Sequence, residues 1–312
     1  MATDHIKDVT DIADEACLRT IGHVFDCDSS KIENLRLLTD GMTNTSFLFD
    51  IDDSTYVFRN PGLGTEELID RSQEKHIYEL ISPLDICDEL IFFDGNTGVK
   101  ISRYYPGSRV TDPKSDADVA EAMVLLKKIH DAGLKPNHRF DIAERIDFYE
   151  GLALAQGEHR FADYHQTRAK VNRLLKIREQ LGIDEVLCHI DYVNTNVLHL
   201  PSGEIRVIDW EYSGAADPLI DIAMYGIYTY YSQEEIDASL RHYCQGEPTR
   251  QQTARVYMYV GLGGFLWSLW TEYKQGLGDD FGEYSADMYR YMNDYYHILD
   301  NGGYLDDLER GN

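Results

Sequence analysis

Hydrophobic periodicity changes character once along this chain, at Pro106-Gly107, and that change sets the fold class. Upstream, from about Leu35 to Tyr105, the texture is that of strands. Leu35-Arg-Leu-Leu38, Thr45-Ser-Phe-Leu-Phe49 and Thr55-Tyr-Val-Phe-Arg59, with a turn at Asp52-Asp53-Ser54, predict an antiparallel meander rich in aromatic and β-branched residues. Pro61-Gly62-Leu-Gly64 breaks it. One helix is expected next, opening at Thr65 with Glu66 and Glu67 in its first turn and with Ile77, Leu80 and Ile81 at helical spacing. Strands near 89–93 and 98–104 follow. Downstream the texture is helical. Asp112-Pro113 reads as a cap with Pro at the first helical position, and Val119, Met123, Leu126 and Ile129 line one face. Further helices are predicted near 143–181, 216–231, 233–244, 250–274 and 282–299. One strand pair interrupts them, over 196–200 and 204–208 around Pro201-Ser-Gly203. The expected architecture is α+β, with a small antiparallel-sheet lobe over 1–101, a hinge over 102–107 and a larger, mainly helical lobe over 108–312. A cleft between two such lobes is a natural small-molecule site.

Charge narrows the range of partners. The 312 residues carry 29 basic and 55 acidic side chains, a formal charge of −26, while 43% are apolar. Such a surface repels nucleic acid and anionic membranes; it either serves solubility or attracts cations. Five cysteines at Cys17, Cys27, Cys87, Cys188 and Cys244 have no metal or disulfide-scaffold spacing. They read as reduced thiols and suggest a cytoplasmic protein. The first residues have no basic stretch followed by an apolar one, so no signal peptide is expected. The longest apolar run, 256–270, stops at Thr271-Glu272, too short to predict a membrane span. Oligomeric state leaves no mark in the sequence.

The chemistry-bearing pattern is His189-Ile-Asp191-Tyr-Val-Asn-Thr-Asn196, followed by Asp209 inside Val207-Ile-Asp209-Trp210-Glu211. It resembles the H-x-D-x-x-x-x-N catalytic loop and the metal-binding Asp of protein kinases. Singly, Asp191 reads as a cap and Asp209 as a strand-end turn residue. Together they carry more, because the 13 positions from Asn196 to Asp209 hold strand, turn and strand. Phosphoryl transfer needs one carboxylate at the acceptor hydroxyl, and an amide and a second carboxylate on Mg²⁺ across the ATP phosphates. A short loop and the far end of its own hairpin supply that set: Asp191 as base, Asn196 and Asp209 on the metal. His189 is expected to hold the loop backbone. In the small lobe, Gly41-Met-Thr43-Asn44 stands between two strands where a kinase places its nucleotide-covering loop, without G-x-G-x-x-G or a P-loop. Arg59 occupies the place of the phosphate-binding Lys, and Glu74 on the lobe's helix is its candidate partner.

With these residues the chain resembles the choline/ethanolamine kinase family, and within it the bacterial LicA-type choline kinases. That family belongs to the aminoglycoside phosphotransferase-like group with a protein-kinase-like fold. The resemblance runs from about Leu38 to Tyr296. It includes Leu38-Thr-Asp-Gly-Met-Thr-Asn-Thr-Ser46, Tyr56-Val-Phe-Arg-Asn-Pro-Gly62, Gly64-Thr-Glu-Glu-Leu-Ile-Asp-Arg71 and Val99-Lys-Ile-Ser-Arg-Tyr104. Ile208-Asp-Trp-Glu-Tyr-Ser213, Asp217-Pro-Leu-Ile-Asp-Ile222 and Phe265-Leu-Trp-Ser-Leu-Trp270 complete it. It implies ATP- and Mg²⁺-dependent phosphorylation of the choline hydroxyl to phosphocholine, with adenine near Ile101 and Arg103. Ethanolamine or another amine-bearing alcohol, such as an aminoglycoside, is the alternative acceptor.

The tail supports a cationic substrate on its own terms. Trp267 and Trp270 are three apart and share a helix face, with Tyr284 and Tyr289 on the next helix. A quaternary ammonium has no N–H to donate, so aromatic faces and a nearby carboxylate must hold it. Glu211 is a candidate for that carboxylate. Tyr225, Tyr228 and Tyr230 are all available to line the pocket. Val193 stands where eukaryotic choline kinases carry Gln, and no A-P-E segment is present, so a protein substrate is not expected.

Overall fold

The computed structural model describes residues 13–38, 44–62, 65 and 67–310. The chain forms two compact units, Met1–Arg109 with Leu198–Glu211, and Val110–Val197 with Tyr212–Asn312.

In the first unit, α1 (Glu15–Phe25) precedes β1 (Glu33–Leu38), β2 (Asn44–Ile51) and β3 (Ser54–Pro61). Then come α2 (Arg71–Ile81), β4 (Leu90–Phe93) and β5 (Lys100–Arg103), and the strands form one antiparallel sheet in the order β1-β2-β3-β5-β4. The β2–β3 turn places Asp52 in the left-handed region (φ 51°), which a short polar residue tolerates. Register then decides which side chains share a face. Phe47 lies opposite Phe58, Phe49 opposite Tyr56, and Phe58 opposite Ile101. These residues form one buried cluster with Cys17 and Ile21 of α1. The alternate positions, Arg59 and Lys100, are paired across β3 and β5 and therefore belong to the other face. α1 has no counterpart among the sequence expectations.

α2 starts at Arg71 rather than at Thr65. The Asp70 carboxylate accepts the N–H groups of Ser72 and Gln73 at 3.0 and 3.3 Å. The Thr65 hydroxyl is instead engaged in a turn, donating to the Gly62 carbonyl at 2.8 Å. Glu66, expected in the first turn, lies outside the described residues. The buried side of α2 uses Ile77, Tyr78 and Ile81, with Leu80 only partly covered.

Residues 198–211, which the division at 102–107 assigns to the larger lobe, belong to the first unit. Val207 N–H donates to the Ile86 carbonyl at 2.7 Å, and Arg206 pairs with Asp85 at 2.7 Å. These bonds stitch the hairpin of β8 (Val197–His199) and β9 (Ile205–Val207) to the segment after α2. A two-residue strand, β6 (Arg109–Val110), stands at the first chain crossing between the units.

The second unit is mainly helical. α3 (Asp116–Asp131) is capped by Ser115, whose hydroxyl accepts the Asp118 N–H at 3.3 Å; Asp112 instead closes a turn by accepting the Lys114 N–H at 2.9 Å. The stretch expected as helix over 143–181 is two helices, α4 (Ile142–Gln156) and α5 (Tyr164–Gln180). β7 (Val186–Cys188) pairs antiparallel with β10 (Gly214–Ala216). α6 (Leu219–Tyr228), α7 (Gln233–Cys244), α8 (Arg250–Gly276), α9 (Tyr284–Asn301) and α10 (Tyr304–Arg310) complete it. α8 is buried along most of its length and packs against α4, α6 and α9. At Gly264 a Cβ would come within 2.5 Å of the Met288 carbonyl, so glycine there sets the close approach of α9 to α8. No helix among the described residues is long and apolar enough to cross a membrane.

Candidate active site

In the second unit the site begins where β7 ends. Ile190 takes φ 71°, a conformation that β-branched residues rarely adopt and that costs of the order of 1–3 kcal/mol. Asp221 holds it there. From the buried face of α6 its two carboxylate oxygens accept the N–H groups of His189 and Ile190, each at 2.7 Å. The same carboxylate meets His130 Nε2 at 3.0 Å, and His130 Nδ1 meets the Tyr243 hydroxyl at 2.8 Å. The His189 carbonyl accepts the Ser213 hydroxyl at 3.2 Å. The loop is thus built by charge-assisted bonds to its backbone.

Asp191 and Asn196 meet at the corner this creates. Asn196 Nδ2 donates to both the Asp191 carbonyl and the Asp191 Oδ2, each at 3.0 Å. Asp191 remains partly exposed, and the amide fixes the direction its carboxylate faces.

That carboxylate stands beside aromatic side chains. Burial, followed by the charge of Asp191, pushes the Tyr228 phenol well above its ordinary range. Burial, then Tyr230 and Asp191, do the same for Tyr284. Tyr228 and Trp267 have ring centroids 5.7 Å apart. Trp267 meets Tyr212 edge-on at 5.6 Å and Trp270 at 6.1 Å, and Trp270 meets Phe281 at 5.2 Å. Both tryptophans are deeply set, 4% and 3% exposed, while Tyr228 and Tyr284 are only partly covered. The Trp270 indole N–H has no hydrogen-bond partner among the described residues. Tyr289 stacks on Phe161 at 3.8 Å and donates to Asp163. Of the three tyrosines left open by the sequence, Tyr225 packs against Tyr192 and Tyr231, and Tyr230 is 51% exposed. Tyr228 is the one in the field of Asp191.

The first unit carries a separate cluster of charges. Arg59 ends the buried part of β3, with Nη2 2.7 Å from Glu74 Oε1 and Nη1 3.1 Å from Asp209 Oδ1. Arg71 Nη1 contacts Glu74 Oε2 and Glu211 Oε2, each at 2.9 Å, and its Nη2 donates to the Thr65 hydroxyl at 3.2 Å. Trp210 is fully buried between Asp209 and Glu211, and both of these carboxylates meet arginines, Asp209 at Arg59 and Glu211 at Arg71. Asp209, at φ 65°, is the carboxylate with 30% of its side chain exposed. Burial and the Asp209 charge, opposed by Arg59, push Glu211 up to about 6. Carboxylate oxygens of Glu74, Asp209 and Glu211 lie within 4.8 Å of one another. Glu74 and Glu211 are already paired with buried arginines, and Asp209 is the most exposed of the three hard oxygen donors that a cation such as Mg²⁺ would take.

The structure adds partners for the remaining candidates. The Glu211 carboxylate accepts from Arg71 at 2.9 Å, with Asn44 Nδ2 also donating to it at 3.4 Å. Ile101 is fully buried in the α1 face of the sheet, so its side chain is core and unavailable to a ligand. Arg103 is tied at the strand end to Glu89 (2.8 Å) and lies over the Tyr56 ring. Thr43 lies outside the described residues. Arg71, Asp221 and Tyr212 have no assigned role in the sequence reading. A carboxylate on the otherwise apolar stretch 219–227 is the signal that marks Asp221.

Comparison with known proteins identifies the family. The chain matches the phosphotransferase enzyme family over residues 34–255. Protein LicA of Haemophilus influenzae is 27% identical over 256 residues, 78% of this chain and 75% of that protein. The crystal structure of choline kinase LicA from Streptococcus pneumoniae is similar with a TM-score of 0.78 at 30% identity, covering 89% of this chain and 96% of that one. A LicA structure in complex with AMP gives a TM-score of 0.76 at 30% identity, over 85% and 92% of the two chains. The family match takes in Arg59, Asp191, Asn196 and Asp209 alike, and the chain belongs to the phosphotransferase enzyme family.

Proposed function

We propose that this protein transfers the γ-phosphoryl group of ATP to the hydroxyl of choline, giving phosphocholine and ADP. The observation that carries the reading is a carboxylate, Asp191, held by Asn196 and acting on the phenols of Tyr228 and Tyr284, with Trp267 packed against Tyr228. Asp191 accepts the proton of the choline hydroxyl as that oxygen attacks phosphorus. Asn196 keeps the carboxylate turned toward the acceptor. The aromatic faces hold the trimethylammonium head, with Trp270 behind Trp267; such contacts contribute about 0.5–2 kcal/mol each. The similarity to a choline kinase and to a nucleotide-bound relative supports both substrates.

On the nucleotide side, Arg59 meets the phosphates, kept in place by Glu74, with Asn44 and Thr43 belonging to the covering segment and 101–104 near the base. Asp209 and Asn196 hold Mg²⁺, with Glu211 close to Asp209. Bound there, the ion neutralises charge on the transferring phosphoryl group. Arg71 bridges Glu211 and Glu74 and offsets the repulsion between their charges. Five free cysteines accord with a reducing compartment such as the cytoplasm, where ATP is available.

Phosphorus NMR of a reaction containing ATP, Mg²⁺ and choline tests the proposal. Phosphocholine should appear in step with ADP. ADP accompanied only by inorganic phosphate, or phosphoryl transfer to ethanolamine or an aminoglycoside but not to choline, would overturn it.

A further inference from the structure

A second buried charge lies on the same sheet face as Arg59 and has no part in the reaction as described. Lys100 opens β5 and is 5% exposed. Its ammonium donates to the Tyr78 phenol oxygen at 2.6 Å and to Asp88 Oδ2 at 3.2 Å, and lies 4.7 Å from the Tyr78 ring centroid. Tyr78 and Asp88 are buried too. Burial, then the charges of Asp88 and Glu74, push the Tyr78 phenol well up, so it is a neutral acceptor for Lys100.

The placement of these groups is regular. Arg59 and Lys100 are direct partners across β3 and β5, so their side chains leave the sheet on one face. Glu74 and Tyr78 are four apart on α2 and share one helix face. Two contacts therefore run in parallel from sheet to helix, Arg59 to Glu74 at 2.7 Å and Lys100 to Tyr78 at 2.6 Å. Packing of Ile77 and Ile81 seats the helix, and two polar contacts one turn apart add a fixed rotation and tilt to that seat. Apolar side chains of similar volume would fill the space without the desolvation penalty of a buried ion pair, so net stability is a weak reason for Lys100 to be there. Direction is what the pair adds.

We propose that Lys100 is a positioning residue for phosphoryl transfer: with Asp88 and Tyr78 it locks α2 in the rotation that presents Glu74 to Arg59, and thereby holds the guanidinium in register with the nucleotide phosphates. This rests on the reading above that Arg59 meets those phosphates.

The test is the Kd for MgATP, measured by calorimetry on the full chain, with Tm recorded for each variant. Tyr78→Phe removes only the acceptor oxygen and should weaken MgATP about three- to tenfold. Asp88→Asn, which loosens the ammonium from its other side, should follow it. In a Glu74→Gln background the Tyr78→Phe change should weaken binding no further, because its effect passes through Glu74. A merely structural Tyr78 would lower Tm by the same amount in both backgrounds and leave the Kd ratio at one. A Kd moved by Arg59→Gln but not by Tyr78→Phe or Asp88→Asn overturns the proposal alone, as does an equal factor in both backgrounds. A Kd unmoved by Arg59→Gln overturns the assignment of Arg59 and the proposal with it.

Discussion

At the scale of single residues, the account depends on Asp191 acting on a proton and Asp209 acting on a metal. Asp191→Asn keeps the shape and the Asn196 contact while removing the base. Turnover should fall by about 10²–10⁴ and the Kd for MgATP should stay near its original value. Stopped or steady-state kinetics beside calorimetry will show whether both hold; near-normal kcat would remove Asp191 from the mechanism. Asp209→Asn should raise the Mg²⁺ concentration needed for half-maximal rate more than Asn196→Ala does, since one loses formal charge and the other a dipole. Equal Mg²⁺ curves for all three proteins would show that the loop and hairpin end are not a metal site. The meeting of Asp191 with Asn196 and of Arg59 with Glu74 was legible in the sequence, because five positions of one loop and one strand followed by one helix set those distances. Burial of Ile101 was not, since one step along β5 exchanges the two faces of the sheet and only the register with Phe58 tells them apart. The partner of Glu211 was not legible either: nothing in Asp209-Trp-Glu211 says that Arg71, 140 positions upstream, will contact its carboxylate.

At the scale of elements, two carboxylates act as structural pins. Asp70→Ala removes the N-cap of α2 and should destabilise the protein by about 1 kcal/mol, seen as a small drop in Tm. Asp221→Ala should be far worse. It strips the partner from two buried N–H groups and from His130, and a loss of about 3–5 kcal/mol in urea unfolding is expected. If Asp221→Ala unfolds like the parent chain, the strained Ile190 turn is held by something else. The strand meander and the long helices could be read from periodicity, because many residues vote for each. Their ends could not. Thr65 and Asp70 are both competent caps, as are Asp112 and Ser115, and the choice falls to whichever lets the apolar side of the helix meet its core. β7 and β10 escaped notice because three-residue strands pairing across 25 intervening positions carry almost no local pattern.

At the scale of the whole molecule, a formal charge of −26 means that the folded chain repels itself. Screening should relieve this, so Tm should rise by several degrees between about 0.05 and about 0.5 M KCl. A flat or falling curve would show that the acidic groups are already matched by local partners. On the proposed function, the same charge would draw a cationic acceptor toward the protein, and the aromatic side chains around Tyr228 would decide which cation is phosphorylated. Ethanolamine can recover binding by hydrogen-bonding its ammonium to a carboxylate, whereas choline has no N–H to donate and depends more on the ring faces. The most direct measurement is therefore the ratio of kcat/KM for choline to that for ethanolamine, in the parent protein and in Trp267→Leu, with Tm confirming that both are folded. The account predicts that choline is preferred by the parent protein and that the substitution lowers the ratio by roughly 2- to 30-fold, the range that 0.5–2 kcal/mol of lost cation–π contact converts to. A parent protein that prefers ethanolamine, or a ratio that Trp267→Leu leaves unchanged, would contradict it.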